Sequence, residues 1–125
     1  MNERDGALDG GVLDGLHASV AGDTAFVVEL IEAFLADSAP QLDAIDAAMA
    51  SGGAEALVRP AHTLKSASAT LGATRLSAAA RTLELAGRSG SLAGADTRAA
   101  ADRIRAEWQA AASALLAWGP AQGDR

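Results

Sequence analysis

The stretch AEALVRPAHTLKSASATLG, residues 54–72, carries apolar or small side chains at Leu57, Ala61, Leu64, Ser68 and Leu71. The spacings alternate four and three. At ~100° per residue these positions share one narrow sector of a helical wheel. The spacing therefore predicts an amphipathic helix from about Ala54 to Leu71, with that sector in a core. Gly72 suits the position after its end. Pro60 is awkward unless it lies in the opening turn or bends the helix.

Outward from this segment the same periodicity recurs. GDTAFVVELIEAFLADSAPQLDAIDAAMASGG is the longest helical pattern, with Asp23 as N-cap and Gly52-Gly53 as stop. Its expected inward stripe is Phe26, Leu30, Phe34, Leu42, Ile45 and Met49, with a kink or restart at Pro40. After Gly72, Thr74 is the expected cap of a helix through Ala86, with Leu76, Ala80 and Leu83 inward. Gly87 and Gly94 then bound a loop. Asp96 is the expected cap of a last helix whose seam reads Ala101, Ile104, Trp108, Ala111, Leu115 and Trp118. Trp108 and Trp118 read as packing residues. ALDGGVLDGLHASV, residues 7–20, suggests a short additional helix weakened by glycines. The economical arrangement is all-α: an antiparallel up-down four-helix bundle, with the short N-terminal helix as a lid. Residues 1–10 read as a flexible N-terminus, 11–118 as one domain, and 119–125 as a flexible tail.

Composition agrees. Half of the 125 residues are apolar, mostly Ala and Leu, and Tyr is absent. That balance favours helix over sheet. There is no cysteine, so disulfides and thiolate metal sites are excluded. The polar, acidic first residues are unlike a secretory signal, and no apolar run approaches the ~20 residues of a membrane span. A cytoplasmic, membrane-free protein is expected. The net charge of −6 and the scarcity of aromatics argue against nucleic acid as a partner. The charge is uneven: residues 59–88 hold Arg59, Lys65, Arg75, Arg81 and Arg88 against Glu84 alone. This basic segment on an acidic protein suits an acidic partner.

On the wheel His62 lies more than ~100° from the centre of the core sector, so it faces solvent. Lys65 follows on the same flank. Ser66 and Ala69, the i+4 and i+7 neighbours, are small. Metal binding lacks a second ligand at helical spacing, and His17 lies on another segment, where it reads as a surface residue. No nucleophile elbow or oxyanion loop supports a Ser-His-Asp triad. A neutral imidazole is nevertheless a competent nucleophile near neutral pH. As a phosphoryl acceptor it would need a nearby cation, which Lys65 supplies, and open access for the protein that delivers the group.

Ala61-His62-Thr63-Leu64-Lys65-Ser66-Ala67-Ser68-Ala69-Thr70-Leu71-Gly72-Ala73 resembles the motif of histidine-containing phosphotransfer domains, approximately A-H-x-L-K-G-x-x-x-x-L-G-A. The resemblance extends through the preceding long helix and through RLSAAARTLELAGR, with its Leu83-Glu84 pair, over roughly residues 12–117. It implies a four-helix bundle and a relay of phosphoryl groups between receiver-domain aspartates. By position it implies that His62 is the phosphoacceptor through Nε2 and Lys65 the charge partner. Gly72 would end the helix and allow close packing. Arg59, Ser66, Ala69 and Gly72 complete the expected binding set. Ser66 departs from the usual glycine. No cofactor or metal of its own is implied, the Mg²⁺ of transfer belonging to the receiver. Expected partners are response-regulator receiver domains and a hybrid sensor histidine kinase, served by a monomer without autonomous kinase activity. Met1 and the polar ends favour a free-standing protein. The alternatives are a non-catalytic helical adaptor for receivers or kinases, or the phosphoacceptor module of a larger hybrid or chemotaxis kinase.

Overall fold

The computed structural model describes residues 6–119. In order these form α1 (Gly10–Ser19), α2 (Thr24–Ser51), α3 (Ala54–Thr70), α4 (Thr74–Ser89) and α5 (Ala95–Leu116), with no strand among the described residues. Helix α2 packs on α3, α3 on α4, α4 on α5, and α5 returns to α2. The ring closes as a four-helix bundle, and the short links make successive helices antiparallel. Helix α1 packs beside the start of α2 and buries Leu13 completely. The expected flexible segments at 1–5 and 120–125 lie outside the described residues. Within 6–10, Ala7 is buried and Asp9 caps α1 by accepting from the Gly11 amide.

The inward sector of α3 matches the wheel: Leu57, Ala61, Leu64, Ser68 and Leu71 are all buried. Ser68 is tolerated there because its hydroxyl donates to the Leu64 carbonyl at 2.6 Å. The stripe of α2 is displaced by one position in its first half. Val27 and Ile31 are buried, whereas Phe26 is 39% exposed and Leu30 only half-buried. Ser38, not a hydrocarbon, continues this seam. Its hydroxyl accepts from Trp108 Nε1 at 2.6 Å and donates to the Leu35 carbonyl. A polar residue in a core position concealed the true register.

Neither internal proline ends its helix. Pro40 lies inside α2, so the expected restart is absent. The carbonyl it deprives of a donor belongs to Ala36 on the exposed face, open to solvent. Pro60 lies in the second turn of α3, beyond the opening turn, with its ring buried beside the core sector. Two expected caps also move by one or two residues. Thr74 is the first helical residue of α4 and Gly94 the N-cap of α5, so Thr74 and Asp96 cap nothing.

Gly87 is a buried residue inside α4, not a loop marker. A Cβ there would meet the Ala54 carbonyl oxygen and Val58 Cγ2, each at 2.8 Å. Its missing side chain sets how closely α4 approaches α3. Gly87→Ala is expected to destabilise by on the order of 1–2 kcal/mol, overpacking outweighing the gain in helix propensity. Chemical denaturation checks this; a more stable variant would contradict it.

Candidate functional site

His62 and Lys65 lie one turn apart on α3, and Glu84 and Arg88 one turn apart on α4. The close α3–α4 contact brings the four together. The His62 side chain is 52% exposed, while that of Glu84 is only 6% exposed. His62 Nδ1 lies 2.9 Å from Glu84 Oε2. Arg88 donates to the same oxygen through Nε at 2.9 Å and a terminal nitrogen at 2.7 Å. Lys65 Nζ lies 2.8 Å from Oε1 in an ion pair. Ser77 braces the arrangement by donating its hydroxyl to the Lys65 carbonyl at 2.9 Å.

A buried carboxylate is costly unless paired. Here Lys65 above all, then Arg88 and His62, hold the Glu84 carboxyl down from an ordinary 4.5 to about 2, against the upward push of burial. Glu84 is therefore an anion at neutral pH and can only accept. It follows that His62 Nδ1 is the donor in this bond, so that in the neutral ring the lone pair belongs to Nε2. The imidazole is held by one nitrogen and presents the other outward.

The lowered pKa has a thermodynamic consequence. Stability contributed by Glu84 is complete above its ordinary pKa of 4.5 and is lost as pH falls toward about 2. Thermal melts across that window should show the loss in the native protein and a weaker one in Glu84→Gln. Equal acid sensitivity in both would contradict the pairing.

The expected site residues separate into groups. Ser66 and Ala69 are exposed on the His62 side of α3, and Arg59 is exposed one turn before His62. Gly72 is not at the site: it lies ten residues on, about 15 Å along the helix axis. Its φ is +80°, and a Cβ there would meet Asp9 O and Val12 Cβ at 2.9 Å. It closes α3 and seats the segment before α1, whose Asp9 amide donates to the Gly72 carbonyl at 2.7 Å. His17 is half-buried rather than a bystander. Its Nε2 lies 2.9 Å from Thr24 Oγ1, and its ring meets Trp118 edge-on at 5.4 Å. Sequence reasoning missed Glu84 and Arg88 as site residues. The available signal was one acid among five cations, followed by an arginine at i+4.

The basic segment is also less free than its charge suggests. Lys65 and Arg88 are spent on Glu84, and Arg75 pairs with Glu107 at 3.1 Å. On the other side of α3 an apolar groove of about 200 Å³ runs against α2, lined by Leu30, Phe34, Thr63, Ala67 and Leu71 among others.

The family model for the Hpt domain matches residues 29–118. The chain belongs to the Hpt domain family. A solved structure with the same fold is histidine-containing phosphotransfer protein B (HptB) from Pseudomonas aeruginosa PAO1. It is 29% identical to this Hpt domain and aligns with a TM-score of 0.76 over 88% of this chain and 91% of that one. Among curated proteins no match was found. As an Hpt domain this protein serves histidine phosphotransfer in two-component signalling, and Hpt proteins are phosphocarriers rather than enzymes. No helix among the described residues is long and apolar enough to cross a membrane.

Proposed function

We propose that His62 is the phosphoacceptor of this Hpt domain, taking a phosphoryl group from the aspartate of one receiver domain and passing it to another. The observation that carries the reading is the Nδ1–Glu84 hydrogen bond on a half-exposed ring, which assigns the lone pair of the neutral imidazole to Nε2. In transfer the Nε2 lone pair attacks phosphorus in line. The N–P bond forms as the bond to the aspartyl oxygen breaks, and that oxygen keeps the electron pair as a carboxylate. The proton stays on Nδ1, and the positive charge gained by the ring is met by Glu84. Reversal uses the same atoms, since a ring carrying that charge leaves phosphorus readily.

Lys65, kept beside the imidazole by Glu84, supports the reaction by its charge. Ser66 and Ala69 leave the approach open. The apolar groove beside Thr63 extends the face on which a receiver docks. The protein works as a cytoplasmic monomer without a cofactor of its own, with a hybrid sensor kinase upstream.

The test is incubation with receiver domains phosphorylated by a small-molecule phosphodonor, in the presence of Mg²⁺. An acid-labile, base-stable phosphate should appear on this protein. Acid-stable label would refute a phosphohistidine.

A further inference from the structure

A phosphoryl group on Nε2 brings new negative charge that needs a cation within reach. The two cations on the Glu84 side of His62 are already committed. Lys65 and Arg88 both hold the buried Glu84 carboxylate, at 2.8 and 2.7 Å, and moving either would leave that anion short of a partner. Arg59 is placed differently. It is exposed, and among the described residues its side chain has no ion pair or hydrogen bond.

Helix geometry turns the reacting nitrogen toward Arg59, whose own stem leans N-terminally and must swing back to meet it. On the wheel Lys65 and Arg59 flank His62 on opposite sides, each about 60° away. Helical side chains lean over the turn that precedes them, so the imidazole leans toward the turn carrying Arg59. Glu84 grips Nδ1 from the Lys65 flank. Nε2, across the ring, is thereby turned toward the Arg59 flank.

We infer that Arg59 is the cation that binds the phosphoryl oxygens of phosphorylated His62, while Lys65 stays paired with Glu84 and contributes its charge without direct contact. This rests on His62 being the acceptor. A guanidinium suits the task, because its planar fork meets two phosphoryl oxygens at once and is always charged. The exposed stem of Arg59 can swing in as the group arrives, and the clamp on the ring need not open.

The equilibrium constant for transfer distinguishes this role from docking. A residue that only helps a receiver dock changes forward and reverse rates alike and leaves the equilibrium between free proteins unchanged. A residue that holds the phosphoryl group shifts it. The experiment measures the final distribution of label between this protein and one receiver, together with transfer rates in both directions. Arg59→Ala and Arg59→Gln should each lower the phosphorylated share of this protein, with about a tenfold smaller equilibrium constant. Arg59→Lys should recover part of it. An unchanged equilibrium constant in Arg59→Ala would overturn the inference, whether both rates fall together or neither does. Label persisting on His62→Gln would overturn the acceptor assignment itself, and the role of Arg59 with it.

Discussion

Replacing His62 by glutamine is expected to abolish phosphoryl transfer to this protein and leave its helical content intact. The side chain is half-exposed and belongs to no core contact, so the bundle does not depend on it. Glutamine is a good helix former, and its amide can still donate to Glu84. What it lacks is a basic lone pair, because the amide nitrogen is conjugated with its carbonyl. Circular dichroism of the variant should overlay that of the native protein while labelling by a phosphorylated receiver disappears. Persistent labelling would place the acceptor elsewhere. The other imidazole is a poor substitute, since His17 is half-buried with its Nε2 already bound to the Thr24 hydroxyl.

Ser66→Leu should give the second-largest effect, by obstruction. Position 66 is exposed and opposite the core sector of α3, so leucine disturbs no packing. A helical side chain covers the surface one turn toward the N-terminus, which for position 66 is where His62 stands. A leucine there lies across the path to Nε2. In-line transfer tolerates little displacement, and a misplacement of ~1 Å can cost about a hundredfold in rate. A loss of that order is expected at unchanged thermal stability. Ala69→Leu, a turn farther on, should be milder. Ser66→Gly should stay active, at a cost in stability of about 1 kcal/mol or less. Normal transfer by a well-folded Ser66→Leu protein would show that the small residues clear no path.

The parts of this structure that were legible in sequence are those governed by one helix at a time. Leu57, Ala61, Leu64, Ser68 and Leu71 share a face whatever α3 packs against, and that alone put His62 in solvent. Asp23 and Gly52 bound α2 as their local chemistry demands. Legibility failed where a second helix supplies the reason. Ser38 falls outside an apolar stripe, and its place in the core shows only when Trp108 of α5 donates to it. Gly87 reads as a helix terminator until the Ala54 carbonyl and Val58 are seen against it. Glu84 appears in sequence only as the lone acid of a basic segment; buried carboxylates are rare, and this one is stable only beside Lys65 of α3 and Arg88 of its own helix. No single-helix pattern encodes a clamp built from two.

The contacts of α1 have a bearing on how the domain can be mounted. Asp9 is tied to Gly72 at the α3–α4 turn, and Trp118 Nε1 reaches Asp14 at 3.4 Å. The beginning and the end of the described chain thus meet at one pole of the bundle. His62 sits around the waist, near the middle of α3. A fluorophore or surface tether placed on that pole would stand like a load on a bracket, away from the flank with the imidazole. Position 62 can therefore be followed in an immobilised or labelled protein without redesigning the face that does the chemistry.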